Sequence, residues 1–485
     1  MDGEDSPSKG MQCKEDTRQK PSPSPRVRQR QKVQKQPDEE AGVVEEPVSI
    51  SSDLAHFIKL SAKDLKLRQT DRRWAAELVN DFRENLLKFL KSNNDQPFFQ
   101  SVDVLTTGSY FENVKINNPD EFDIMLKIQT TTRFQTEPLD DGLFYQINLS
   151  RPTRTHIQDF LLENNVTLSS SQVLTEMHRL VRKFLKTYEV PDKSCRWEMN
   201  RKRIYSPAVT LSLCRNNSAE LISVDVVPAL EVPAWPAAVR NGPEVDNWLG
   251  KKVRQEFKSF PCFFVPKRQK GKNLKEEAKE SWRISFSHIE KKIIMCHGNK
   301  KTCCEKRDTK CCRKSCLMLL KSLIASLKIR FPKELEDLCS YHGKTTFLHT
   351  LASRFKDSMW APQDLPVCFL HLICALEGHA RSGVLPHFFV PECNLFSKNN
   401  IARKTLAFLA KALEEQRREG LPLLKPQAPV PPLKPETISP EIFTDKSSLV
   451  TAGPSVGTTS WAAIKPTQVF AVCLVCVLIF YMAIS

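Results

Sequence analysis

The chain lacks an apolar run at its N-terminus. Its opening, MDGEDSPSKGMQCKEDTRQK, has no hydrophobic stretch of the kind a secretory leader carries, so the expected setting is a reducing compartment. In such a setting the sixteen cysteines are not a disulfide framework, and clustered thiols point to metal. Six of them fall between positions 296 and 316. No internal repeat is evident, which excludes a solenoid. Acidic residues are in deficit, 56 Asp and Glu against 72 Lys and Arg, giving a net charge of +16 over 485 residues. An excess of that size favours a polyanionic partner, nucleic acid or an anionic membrane surface. Residues 1–50 have almost no aromatics and are rich in Pro, Ser, Gln and charge, the composition of a disordered tail. Within it RVRQRQKVQK (26–35) is a short basic run.

The remainder divides by pattern. Over residues 54–91 apolar positions recur at helical spacing (Leu67, Trp74, Leu78, Phe82, Leu86), interleaved with Lys63, Lys66, Arg68, Arg72 and Arg73. This predicts a long amphipathic helix, broken near Thr70, with a basic outer side. FDIMLKI, FYQINL, AVTLSL and LISVDVVPAL read as strands, and residues 170–188 as a helix between them. From 280 to 413 the pattern is mainly helical, beginning with SWRISFSHIEKKIIMC. The expected class is α+β, with a strand-rich part at 54–260 and a helical lobe at 261–419. A proline-rich linker (420–467) and an apolar tail (468–485) follow; the tail reads as a membrane anchor or as the product of an alternative or mispredicted exon.

Three carboxylates stand out. In EFDIMLK, alternation puts Glu121 and Asp123 on one face of a strand while Phe122 and Ile124 face the core. Asp225 lies mid-strand among apolar neighbours, where an isolated charge is costly unless it meets a cation. Such a set suits hard, oxygen-seeking magnesium. Gly108-Ser109 precedes the carboxylates by about a dozen residues, and a glycine with a hydroxyl neighbour lets backbone approach a phosphate. In HGNKKTCCEKRDTKCCRKSC, one imidazole and several thiolates suit a closed tetrahedral zinc site; spacing leaves Cys303, Cys304, Cys311, Cys312 and Cys316 as rival ligands. Lys292, Lys300, Lys301, Lys306, Arg307, Lys310, Arg313 and Lys314 surround them, a set of cations placed to straddle a phosphate backbone by shape and charge.

The order Gly-Ser, acidic-apolar-acidic strand, later strand Asp resembles the polymerase-β-type nucleotidyltransferases. The wording of TGSYFENVKI, EFDIMLK, SPAVTLSL, ISVDVVPALE and HGNKKTCCEKRDTKCCRKSC, over about residues 54–419, is similar to the vertebrate cyclic GMP-AMP synthases. That resemblance implies a bilobal nucleotidyltransferase fold: a mixed-sheet catalytic lobe, a long N-terminal spine helix, and a helical lobe carrying a zinc knuckle. It implies an enzyme activated by double-stranded DNA that joins ATP and GTP, first through a 2′–5′ bond and then through a 3′–5′ bond, into a cyclic second messenger of innate immunity. Glu121, Asp123 and Asp225 would hold two magnesium ions, for which manganese could substitute. His297, Cys303, Cys304 and Cys311 would hold a structural zinc. Gly108, Ser109, Arg283, Ser285, Ser287, Lys321, Ser340 and Tyr341 would contact nucleotides. Lys66, Arg68, Lys300 and Lys314 would contact DNA, with Arg133, Lys252, Arg254 and Lys301 on a second surface that makes a 2:2 assembly. Arg151 matches an arginine used against the nucleosome acidic patch, and the setting implied is cytosol and nucleus. Two departures are visible: Val227 replaces a threonine near the acceptor base, and Met318 replaces a lysine of the DNA face. The alternatives are a 2′–5′ oligoadenylate synthetase, whose family lacks the His-Cys cluster; a catalytically silent DNA-binding protein of the same fold, disfavoured by the intact carboxylates; and a membrane-tethered scaffold.

Overall fold

The computed structural model describes residues 50–424, apart from 117, 216–219, 271–275 and 307–308. The expected N-terminal tail, most of the proline-rich linker, the apolar tail and Arg307 lie outside the described residues. Among those described, no helix is long and apolar enough to cross a membrane.

The helix expected over 54–91 is two helices, α1 (Ser52–Asp64) and α2 (Gln69–Ser92). Ser51 caps α1, its hydroxyl accepting from the Leu54 amide at 3.3 Å. The break at 65–68 falls just ahead of Thr70 and has a tertiary cause. The first helix lies on the helical lobe and the second on the sheet lobe, so the spine changes partner where it bends.

After α2 come β1 (Val102–Leu105), β2 (Glu121–Ile128), β3 (Phe134–Pro138), β4 (Phe144–Leu149), α3 (Ser170–Leu185), β5 (Cys195–Met199), β6 (Val209–Arg215) and β7 (Glu220–Val232). Then follow α4 (Lys251–Ser259), β8 (Cys262–Pro266), the short α5 (Glu276–Lys279), β9 (Trp282–Ser285) and α6 (Ser287–Met295). The helical lobe is built from α7 (Arg313–Arg330), α8 (Ser340–Ser353), α9 (Leu365–Ser382) and α10 (Arg403–Arg418), with the small hairpin of β10 (Pro386–His387) and β11 (Val390–Asn394) between the last two. The fold is α+β, as expected.

The main sheet runs β1-β2-β7-β8-β9-β4-β3, with β6 also on β7 and β5 beyond it. Only β2 and β7 pair in parallel; the other pairs are antiparallel. The sheet thus continues past residue 261, and SWRIS is strand where helix was expected. Its alternation explains this: Trp282 and Ile284 are 0% and 2% exposed, while Arg283 and Ser285 face the other way. The helical period begins only at Ser287, and the two patterns run together in sequence.

Strand β7, enclosed on either edge, is apolar around Asp225; Val224, Val226, Ala229 and Leu230 are all buried. Behind the sheet, Phe82 of α2 meets Trp197, Phe184 and Tyr188 with ring centroids at 4.6–5.8 Å. Trp282 is wholly buried and its indole donates to the Leu168 carbonyl at 2.9 Å. These contacts pack the back of the sheet, while β2 and β7 turn Asp123 and Asp225 to the cleft.

Candidate functional site

Parallel pairing puts Asp123 of β2 directly across from Asp225 of β7. Glu121 follows two residues earlier on the same face of β2, while Phe122 and Ile124 point inward and are 4% and 3% exposed. On its other side Asp225 is paired with Thr210 of β6, whose hydroxyl donates to Asp225 Oδ1 at 2.6 Å. Thr210 is buried, so that bond fixes the carboxylate's orientation. Asp123 opens onto the cleft yet is closely surrounded by protein. Its pKa is pushed up to about 6, first by loss of water and then by the facing Asp225 charge.

Gly108 has φ +89°, and a Cβ there would overlap the Asp123 carboxylate, 3.1 Å from its Cγ. Glycine is needed on both counts. The loop it begins is tied on several sides. Arg72 of α2 donates to Asn113 Oδ1 at 2.9 Å and lies over the Tyr110 ring at 5.3 Å. Lys291 of α6 donates to the Thr106 carbonyl at 2.9 Å, and Lys321 of α7 to the Val114 carbonyl at 3.0 Å. Burial, together with the neighbouring Lys115 charge, brings Lys321 down to about 8.

Glu121 does not join Asp123 and Asp225. Its carboxylate accepts from Lys115 at 2.7 Å, and the same ammonium lies 3.0 Å from Asp120. Burial raises the Glu121 pKa, but the bond and charge of Lys115 outweigh it and hold the group below its ordinary value.

These elements enclose a cleft of about 610 Å³. Of the residues expected at nucleotides, Gly108, Arg283, Ser285, Ser287 and Tyr341 line it; Ser109, Lys321 and Ser340 do not. Val227 also faces the cleft but packs with Met125, Ala208 and Val265. A chain of ionic groups that sequence reasoning missed forms its floor. Lys344 bridges Glu112 at 2.7 Å and Glu290 at 2.6 Å. The Tyr341 hydroxyl donates to Glu290 at 3.0 Å and is 2.9 Å from His387 Nε2. The Phe389 amide donates to His387 Nδ1, so Nε2 carries the proton and donates to the tyrosine. Burial raises the Glu112 pKa. Burial also opposes ionisation of Glu290, but Lys344 prevails and lowers it. Two carboxylates share one cation here, so the floor tolerates a further positive charge.

The second cluster is compact. His297 Nε2 lies 3.2 Å from Cys311 Sγ and 3.5 Å from Cys304 Sγ, and Cys303 Sγ is 3.9 Å from Cys304 Sγ. All four ligand atoms lie within 4.8 Å of one another, which among the described residues is true of no other such group. Cys312 and Cys316 are buried in α7 and its cap, outside the set. His297 Nδ1 bonds the Ile294 carbonyl at 2.7 Å, which leaves Nε2 free to ligate. Burial first, then neighbouring thiolate charge, raises the Cys303 and Cys311 thiols above their usual range. One imidazole and three thiols packed this closely fit a tetrahedral divalent metal, which reverses that penalty by taking the thiolates as ligands.

The knuckle is anchored by residues the sequence did not single out as structural. A Cβ at Gly298 would overlap Cys303. Arg313, expected among the surface cations, is instead wholly buried. Its guanidinium pairs with Asp357 at 2.9 Å and donates to Cys303 Sγ at 3.6 Å. Asp357 also accepts the Asn299 and Lys300 amides at 3.0 and 2.9 Å. Lys300 and Lys301 are exposed, while Lys314 is half-buried and bonded to Met295 Sδ. Lys66, Arg68, Arg133, Arg151 and Lys252 are exposed; Arg254 is half-buried in an ion pair with Asp246 at 3.0 Å. Met318 is 8% exposed, so it is a core residue of α7 and not part of a surface.

The Arg313–Asp357 pair gives a specific expectation. Asp357→Ala leaves a buried guanidinium unpaired and frees two knuckle amides, so unfolding free energy drops by about 3–5 kcal/mol. Urea unfolding checks this, and for the chain loaded with added zinc faster release of that zinc to a chelator is expected as well.

Two domain families match the chain: the Mab-21 protein nucleotidyltransferase domain over residues 110–295, and the Mab-21 protein HhH/H2TH-like domain over 312–415. Cyclic GMP-AMP synthase of Mus musculus is 39% identical over 360 residues, covering 74% of this chain and 68% of that protein. The Sus scrofa cyclic GMP-AMP synthase is 37% identical over 353 residues, covering 72% and 68%. More distantly, protein mab-21-like 3 of Xenopus laevis is 22% identical over 375 residues, covering 73% and 92%. The chain therefore belongs to the cyclic GMP-AMP synthase family of Mab-21-type nucleotidyltransferases and is itself a nucleotidyltransferase.

Proposed function

We propose that the chain is a double-stranded-DNA-activated synthase that condenses ATP and GTP into a cyclic dinucleotide with mixed 2′–5′ and 3′–5′ linkages. The observation that carries this is the Asp123–Asp225 pairing beside Gly108, in a cleft whose floor is charged and whose wall holds Tyr341.

In this reading Glu121, Asp123 and Asp225 hold two magnesium ions. Magnesium supplies activation of the attacking ribose hydroxyl and charge neutralisation of the departing pyrophosphate. The chain's own residues position the substrates. Gly108 lets backbone approach a triphosphate, and Lys321, outside the cleft lining, holds the loop through the Val114 carbonyl. Tyr341, fixed through its hydroxyl by Glu290 and His387, presents a ring for base stacking. Arg283, Ser285 and Ser287, which line the cleft, supply donors to bases. Val227 offers no hydrogen bond to a base, so guanine selection falls to these neighbours.

Activation follows from Glu121 being held on Lys115. DNA on the exposed Lys66–Arg68 bend pulls at α2, whose Arg72 grips the Gly108 loop. Movement of that loop carries Lys115 with it and releases Glu121 toward Asp123 and Asp225. The zinc knuckle, held by His297, Cys303, Cys304 and Cys311, presents Lys300 and Lys314 to the same duplex. Arg133, Lys252, Arg254 and Lys301 face a second duplex in a 2:2 assembly, and Arg151 provides a contact for an acidic histone surface. Cytosol and nucleus are where such a duplex is met.

The test is incubation of the purified chain with ATP, GTP and magnesium, with and without duplex DNA, and products read by mass spectrometry. A cyclic GMP-AMP product that requires DNA is expected, and Asp225→Asn abolishes it. Linear oligoadenylates, or equal stimulation by duplex RNA, overturn the proposal.

The raised Asp123 pKa gives a pH signature. Above about pH 6 the folded chain carries an unfavourable carboxylate that costs stability, and protonation relieves this as pH falls. A cation bound there removes the same cost. Magnesium is therefore expected to raise the unfolding midpoint above about pH 6 and to lose that effect below it, as proton competes with metal. Calorimetry across pH checks this.

A further inference from the structure

The loop over 200–208 joins β5 to β6, and β5 is an edge strand of the main sheet. Within it Arg201, Lys202, Arg203, Ile204 and Tyr205 are all exposed. Ile204 is 69% exposed, more than any other large apolar side chain among the described residues, and its neighbour Tyr205 is 42% exposed. One exposed apolar side chain is ordinary. Two side by side, preceded by three cations, call for a partner that takes both kinds of group.

The loop is held in shape. The Asn200 amide donates to the Thr210 carbonyl at 2.9 Å and the Ser206 amide to the Arg203 carbonyl at 3.1 Å. The Ala208 amide donates to Ser206 Oγ at 3.2 Å, and Lys202 Nζ to Thr175 Oγ1 of α3 at 2.8 Å. Among the described residues Arg201, Lys202 and Arg203 enter no ion pair, and neither do the exposed Arg182 and Lys186, one turn apart near the end of α3. Burial first, then the Lys202 and Arg182 charges, bring the pKa of His178 down to about 4. The loop and the outer side of α3 therefore share one positive face around that histidine.

We propose that this loop docks on an anionic phospholipid bilayer. Ile204 enters the acyl boundary, the Tyr205 ring sits at headgroup level, and Arg201, Lys202 and Arg203 meet the lipid phosphates and carboxylates. A nucleic-acid backbone would satisfy the cations alone. It would leave Ile204 in water, since isoleucine has neither a ring to stack on a base nor a donor for a phosphate. A bilayer surface accepts the apolar pair and the cations together, and the order along the chain, three cations and then the two apolar side chains, suits that layering. Because the approach is electrostatic, added salt weakens it.

The test is hydrogen exchange of the full chain, read by mass spectrometry on peptides spanning 200–207. The probe is vesicles of equal parts phosphatidylcholine and phosphatidylserine. Exchange there is expected to slow severalfold with these vesicles and to stay unchanged with phosphatidylcholine alone or with soluble glycerophosphoserine. The readout is local, so lipid binding elsewhere in the chain does not produce it. Ile204→Ser combined with Tyr205→Ser is expected to lose the slowing, as is the triple variant Arg201→Gln, Lys202→Gln, Arg203→Gln. No slowing with mixed vesicles overturns the proposal, whether or not duplex DNA slows the same peptides. Slowing that survives in the Ile204→Ser, Tyr205→Ser variant also overturns it, because charge alone would then account for the contact. Equal slowing by glycerophosphoserine, or slowing without lipid as protein concentration rises, does so too, the latter by making a second copy of the chain the partner.

Discussion

Two aspartates meet across adjacent parallel strands, and the rest of the molecule is arranged around the cost of that meeting. Register fixes Asp123 opposite Asp225, and neither can move without sliding a strand whose inner face is buried. Like charges at that spacing favour a proton or a cation between them. Thr210 pins one carboxylate, and the missing side chain of Gly108 makes room for the other. Residues far apart in the chain thus produce a concentrated negative site in a protein with a net charge of +16.

The surrounding cations are distributed accordingly. Lys115 holds Glu121 away from the pair, and Lys344 neutralises the buried Glu112 and Glu290 behind it. The spine links this interior balance to the surface. Its bend carries the exposed Lys66 and Arg68, and Arg72, one turn further, touches the Gly108 loop. At the far end, the knuckle is no free-standing loop. Arg313 and Asp357 tie it to the start of α7 and to the turn ahead of α9, so its exposed lysines stand on a fixed base.

What was legible in the sequence was what short range determines. Alternation in EFDIMLK gave the strand and its two outward carboxylates, and an Asp within LISVDVVPAL was conspicuous because its neighbours are apolar. The His and Cys residues crowd within fifteen positions, so their convergence needed little of the fold. What was not legible depends on contacts across the chain. Lys344 lies 232 positions from Glu112, and no local pattern distinguishes that lysine from many others. Arg313 looked like one more surface cation because its partner, Asp357, is 44 residues away. The strand WRIS runs without punctuation into a true helix, so the helical period that follows hides it. Gly298, next to His297, was a usable signal: a glycine beside a ligand often marks close packing.

The most direct measurement is manganese binding followed by electron paramagnetic resonance, comparing the unaltered chain with Asp225→Asn and with Gly108→Val. The paired-carboxylate account predicts that manganese binding is lost in the first variant, and that it is weakened in the second as the new side chain displaces Asp123. Unchanged manganese binding in Asp225→Asn, with the fold intact, would contradict it.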